Sequence, residues 1–349
     1  MNKFDAKYEI RLAQKKDIAN IMQFIECHWK AGHIMAHDRD LFEYEYVNGN
    51  DVNFIIAIER EKKTIEAIFG FLNCSHHEDA AKKYVWGSIW KVVEGNDNLP
   101  LLGIELARRV KELTGCRAHI GNGANPKTTI PLRKIFFKEK VARMNHYYLL
   151  NADIKVYKIA VVQQKELNDS GFFSDHARLE KFGSMQEVND RFDIDNVEAV
   201  PYKDSWYVEK RFFNHPYYEY DVYGVQSLSR NIEAILVTRT VLCEGSKVLR
   251  IVDYIGDQSA FAGLGKTFQS MLKSNGYEYL DFYELGFEKK FIVEAGFKLK
   301  DEYDPNIIPN YFEPFLRENV EIWAHYQEEG TLFFKADGDQ DRPNQIQER

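Results

Sequence analysis

The sequence has no apolar run approaching the roughly 20 residues that cross a bilayer, and no basic start followed by a long apolar centre. A membrane is therefore not an expected partner, and a cytoplasmic location is expected. The four cysteines, Cys27, Cys74, Cys116 and Cys243, are scattered without a CxxC pair, which suits reduced core thiols better than disulfides or a zinc site. No metal is expected. Basic excess is also missing: 46 Lys and Arg stand against 54 Asp and Glu, for a formal charge of -8 mixed along the chain. With no basic face to attract a phosphate backbone, nucleic acid is not an expected partner either.

What is present is material for packed interiors. Of 349 residues, 44% are apolar and 14% aromatic, with 20 Tyr and 24 Phe, so the chain is globular and long enough for two cores. "YEIRLA" from Tyr8 reads as a strand and "KKDIANIMQFIECHW" after it as a helix. "NFIIAIE" and "IEAIFGFLNC" then form a hairpin across the charged "REKKT". A strand "VWGSIWKVVEG" follows, and then a helix "GIELARRVKEL" closed by Gly115.

The same order recurs later. "IEAI" at Ile65 returns at Ile232, each time in an apolar strand that ends near a cysteine. "LGIELARRVKELTG" from Leu102 has its counterpart in "LGKTFQSMLKSNG" from Leu264, preceded by the strand "VLRIVDYIG". Three elements in one order argue for two tandem copies of an α/β unit, each a mixed, mostly antiparallel sheet flanked by helices. The expected boundaries are an N-terminal domain over 1–160, a polar, loosely ordered linker over 161–185 and a C-terminal domain over 186–349.

"AFAGLGKT" from Ala260 fits the loose form of a phosphate-binding P-loop. A P-loop domain needs a buried parallel strand before the loop and several βαβ crossovers after it. Here a hairpin precedes it, little chain follows, "YLDF" at Asp281 is a poor magnesium-binding strand, and the first copy has no Gly-Lys-Thr. Gly263 and Gly265 instead let the backbone approach a pyrophosphate at a helix N-terminus, with Lys266 as an added charge. A reading in which the glycines only shape a helix entry stays open.

In this loop, in the strand order, and in "YLDFYELGFEKKFIVEAGFKLKDE", the sequence resembles the GCN5-related N-acetyltransferase superfamily. The loop's glycines match that pattern, whereas Ala260 stands where the superfamily has Gln or Arg. In the first copy Pro100, Gly103 and Glu105 occupy the pattern and only the glycine is kept. The resemblance implies two tandem domains of that fold and an acyl-CoA co-substrate, acetyl-CoA or 3-hydroxybutyryl-CoA. Gly263, Leu264, Gly265, Lys266 and Thr267 are its implied coenzyme A contacts. The segments "GHIMAHDRDLFEYEY", "NHPYYEY", "RIVDYIG", "IIPNYFEPF" and "DGDQDRPN" are similar to two-domain bacterial proteins of surface-polysaccharide (O-antigen) synthesis. Among these are N-acyltransferases acting on nucleotide-linked amino sugars, here with dTDP as the expected carrier.

Transfer from a thioester to an amine needs no nucleophilic side chain. It needs an anchored donor, a neutral amine, a donor to the oxyanion and a proton for the thiolate. In the superfamily a bulged strand supplies the oxyanion N–H, here "LRIVDYIG". Asp253 on that strand is the candidate for orienting or deprotonating the amine, with the capping of a bulge as the alternative. His37 and His215, in the connections before the two hairpins, are candidate bases, and Tyr283 a candidate acid, each with a structural role as the alternative.

For the nucleotide sugar, Tyr311 and Phe312 suit stacking, Arg211 and Arg342 suit phosphate, and Asn214 and Asn310 complete the candidate contacts. Asp337 and Asp339 suit sugar hydroxyls, or else belong to a solvated acidic tail; an EF-hand lacks its terminal Glu. The alternatives to such an enzyme, monomeric or homodimeric, are a Fem-like transferase using aminoacyl-tRNA and a non-catalytic nucleotide-sugar or glycan-binding module.

Overall fold

In the computed structural model, which describes residues 2–95, 97–165 and 173–345, the chain forms two compact units. The first comprises Met1–Val141, His325–Gln327 and Gly338–Arg349; the second comprises Ala142–Ala324 and Glu328–Asp337. Neither unit is one continuous stretch of sequence.

The first unit's sheet runs in the order Tyr8–Gln14, Asp51–Glu59, Ile65–Asn73, Tyr84–Val92, Ala118–Asn122, followed by the first unit's parts of Trp323–Tyr326 and Lys140–Arg143. Its first four strands are antiparallel, and Tyr84–Val92 runs parallel to Ala118–Asn122. "IEAIFGFLN" sits centrally because β-branched and aromatic side chains fill both faces of a buried strand. Leu102–Thr114 lies across this sheet, burying Leu102, Leu106 and Val110 against Ile55, Phe69 and Val85. Gly115 ends the helix in the left-handed conformation at φ 68°.

The second unit repeats this plan. Its order is Lys298–Leu299, Asn145–Leu150, Tyr279–Leu285, Ser246–Gly256, Ile232–Cys243, Asp221–Ser227, Ala177–Phe182. Helix Gly265–Asn275 packs Phe268 and Leu272 on Leu236 and Phe282, and Gly276 closes it at φ 67°. Two mixed, mostly antiparallel sheets flanked by helices are thus present, one in each unit.

Three features differ from the sequence expectation. Residues 166–172 of the expected linker lie outside the described residues, but Ala177–Phe182 further along is a strand paired with Asp221–Ser227. Asn145–Leu150, placed by sequence in the first domain, pairs with Tyr279–Leu285 in the second sheet, because its apolar side chains complete that core. The supposed solvated tail is buried, with Asp337, Asp341 and Arg342 at 0%, 2% and 4% exposure. Among the described residues no helix is long and apolar enough to cross a membrane, and no group of three or more His, Cys, Asp or Glu could hold a metal ion. Cys74 and Cys116 are buried free thiols, whereas Cys27 is exposed.

Candidate functional site

Each unit has one strand that bulges and then parts from its parallel neighbour. In the second unit Val237 pairs with Asp253 but Thr238 with Ile251, so Val252 is the extra residue of a bulge. Parallel pairing with Tyr279–Leu285 covers only Leu249 to Ile251. Beyond that point the gap is taken by the chain itself. Phe333 and Phe334 pair with Leu285 and Glu284, and the Ala336 N–H donates to the Val252 carbonyl at 2.8 Å.

Asp253 points from this bulge into a buried charge cluster. Lys203 Nζ donates to both Asp253 oxygens at 2.7 and 2.8 Å and lies 2.6 Å from Asp337 Oδ1. Burial alone would lower the Lys203 pKa, but the two carboxylates outweigh it and hold it raised. Asp337 is pushed upward by burial, with Asp253 adding to the effect and Lys203 opposing it. Asp337 Oδ2 also accepts the Phe334 N–H, and Arg211 Nη2 donates to the Ala336 carbonyl at 3.3 Å. Asp253, Asp337 and Arg211 therefore converge on the segment that closes the gap.

The glycine loop makes comparable contacts with its own chain. The N–H groups of Gly265 and Lys266 donate to Ser174 Oγ and the Ser174 carbonyl at 3.4 and 3.0 Å. Lys266 Nζ pairs with Asp175 at 3.1 Å, Thr267 Oγ1 donates to the Ala177 carbonyl, and Leu264 is buried in the core. A Cβ on Gly263 would come 2.8 Å from the Ala177 backbone nitrogen. The N–H groups expected to hold a pyrophosphate hold residue 174 instead.

The other expected residues are dispersed. His37 is a surface residue whose Nε2 lies 2.9 Å from Glu26. His215 Nδ1 accepts the N–H groups of Tyr217 and Tyr218 and so shapes a turn, and Asn214 is exposed beside it. Tyr283 stacks on His146 with centroids 4.0 Å apart, and burial holds its phenol well above the usual range. Asn310 Nδ2 donates to the Val320 carbonyl at 3.0 Å. Tyr311 and Phe312 form half of a two-stranded hairpin, where Phe312 packs on Phe315 beneath the Arg250 guanidinium.

In the first unit the register passes from Phe69–Trp90 to Phe71–Gly87, so Tyr84–Val92 carries one extra residue there. Parallel pairing ends at Trp86–Ile120. Two residues on stands Ser88, as Asp253 stands two residues past Ile251. Ser88 Oγ accepts from the Tyr46 hydroxyl at 3.1 Å, that hydroxyl accepts from Arg342 Nη1 at 2.9 Å, and Arg342 Nη2 lies 3.1 Å from Asp339. Burial raises the Tyr46 phenol and opposes the Arg342 charge, which Tyr46 and Asp339 nevertheless hold raised. Sequence reasoning named Arg342 and Asp339 but missed Ser88 and Tyr46. Lining up the two bulged strands by their last parallel pair is the signal that finds Ser88.

At the first unit's N-terminal helix end, Leu101 is 52% exposed and adopts φ 69°. The N–H groups of Gly103 and Ile104 have no hydrogen-bond partner among the described residues.

No family model and no curated protein matches the chain. Solved structures with a similar fold exist. A GCN5-related N-acetyltransferase from Anabaena variabilis aligns over 91% of this chain and 72% of its own, with TM-score 0.51 and 8% identity. A conserved Enterococcus faecalis protein of unknown function, described as a probable N-acyltransferase, aligns over 84% and 70%, with TM-score 0.53 and 9% identity. The likeness is one of fold.

Proposed function

We propose that the protein is an acyl-CoA-dependent N-acyltransferase and, more narrowly, that it acylates the amino group of a nucleotide-linked amino sugar. The carrying observation is the strand that bulges and then parts from its parallel neighbour, set in a fold like that of N-acetyltransferases. Such a gap suits an extended pantetheine arm, whose amides would complete the ladder while a strand N–H faces the thioester oxygen; in the first unit Gly338 stands at its margin, against Trp86 and Asn122.

We assign the donor to the first unit. In the second, the strand edge is met by Phe333–Ala336 and the glycine-loop N–H groups by Ser174. The exposed start of Leu102–Thr114, with the Gly103 and Ile104 N–H groups, suits a pyrophosphate. Ser88, Tyr46, Arg342 and Asp339 then surround the reacting centre. The amine attacks the thioester carbonyl, the C–S bond breaks as the oxyanion collapses, and the proton that the nitrogen loses is balanced by the one that the thiolate takes up. Arg342 and Asp339 orient the acceptor's anionic and hydroxyl groups.

Free thiol is the readout. Acetyl-CoA or 3-hydroxybutyryl-CoA with a dTDP-linked amino sugar is expected to release it, and Ser88→Ala or Arg342→Gln to slow release. Lys266→Ala is expected to leave coenzyme A affinity unchanged; its loss there would return the donor to the second unit. A panel of acyl donors and amino sugars that gives no turnover overturns the enzymatic reading. The filled gap of the second unit favours one competing reading, a non-catalytic binding module. Calorimetry decides between them, because such a module would bind the nucleotide sugar and not coenzyme A.

A further inference from the structure

The first unit has a second cleft, at the other end of helix Leu102–Thr114. This helix has 13 residues, so its C-terminus lies about 20 Å from the start assigned above to the donor. Where it stops at Thr114, the end of the sheet beneath is left open as a cleft of about 380 Å³. The floor is set by strand register. Asn73 lies opposite Val85, and both line the cleft together with Asn53 and Phe71.

Asn53 decides what this cleft is for. It is 6% exposed, yet its carboxamide has no protein hydrogen-bond partner among the described residues; Asn73 beside it has none either. A buried polar group without a partner is costly, and the interior of a strand offers many apolar alternatives. Asn53, nine-tenths buried and lining the concavity that half-buried Asn73 also lines, points to a ligand.

We propose that this cleft is a binding site for a neutral monosaccharide unit. Each carboxamide offers both donors and an acceptor, which matches hydroxyls that donate and accept at once. Half-buried Leu113, backed by Phe71 and Val85 of the core, provides an apolar edge for the C–H face of a pyranose. The charged side chains at the rim include Asp51 and Lys83, one of each sign, so no single-sign field selects an ion. The C-terminal end of the helix carries partial negative charge, which favours hydroxyl donors and disfavours phosphate. The volume is at the small end of the roughly 300–1,000 Å³ found for ligand sites and suits one sugar ring. This site stands independently of the acyl-transfer reading.

The test is titration of the full-length protein with glucose, galactose, mannose and N-acetylglucosamine, followed by NMR shifts or calorimetry. At least one sugar is expected to saturate a single site. Asn53→Leu and Asn73→Ala are each expected to weaken it by about tenfold or more, as loss of buried hydrogen bonds does. Asn53→Leu is expected to keep or raise the melting temperature, which separates lost binding from lost fold. Absence of binding across the four sugars, or equal binding by both variants, overturns the proposal. Saturation of the cleft by a nucleoside or a free amino acid instead overturns the ligand class.

Discussion

Lys203 balances two buried carboxylates, and this is the sharpest test at the scale of single residues. Replacing it by Met leaves Asp253 and Asp337 without a counter-charge at 0% exposure. Breaking a buried pair in this way costs about 3–5 kcal/mol, so urea unfolding of Lys203→Met is expected to show a loss of that size. Glu284 supplies a pH signature. Burial pushes its carboxyl up to about 7, although Asn145 and the Phe287 N–H oppose the shift. The folded state then binds more protons than the unfolded one between about 4.5 and 7, so this group's contribution to stability falls as pH rises through that window. Glu284→Gln is expected to remove the effect, on the order of 3 kcal/mol, making the variant's advantage grow from pH 5 to pH 8. Of these residues Asp253 was legible because it interrupts an apolar run, and Asp337 because it belongs to an acidic cluster. Lys203 sits in a loop without periodicity, and nothing local marks it as a partner.

Single elements were the most legible part. The hairpins, the bulged strands and the two helices followed from β-branched runs, apolar spacing and closing glycines, because each is determined by its own sequence. Ala177–Phe182 escaped because it is an edge strand with few buried positions, and its polarity resembles that of a loop. The glycine loop shows how one motif supports two roles. If Gly263 makes room for Ala177, Gly263→Ala forces that strand outward at a cost of about 1–3 kcal/mol in the absence of any ligand. Unchanged thermal stability with impaired coenzyme A binding would return the glycine to the donor site. The same logic fits Ser174, whose contacts at the start of Gly265–Asn275 do the work of a cap.

At the scale of the whole molecule, sequence order and spatial order part company. Residues 1–160 look like a domain, yet the sheet they build also uses Trp323–Tyr326, and the compact unit includes Gly338–Arg349. Nothing local records this, since strand pairing at long separation depends on side chains that fit and not on spacing. A polypeptide ending at residue 160 would expose the edge of Ala118–Asn122, so it is expected to aggregate or to unfold without cooperativity in urea. A soluble 1–160 fragment with a sharp transition would refute that dependence.

The late arrival of Trp323–Tyr326 also governs the order of events during synthesis. Ribosomes deliver the amino end first, and tandem copies ordinarily allow the leading one to finish while the trailing one is still being made. Here the leading sheet waits, one strand short, for Trp323–Tyr326, translated about 200 residues after Ala118–Asn122. The nascent chain therefore carries the open edge of Ala118–Asn122 past the exit tunnel while the residues up to Trp323 are made, and chaperone dependence should concentrate in that interval.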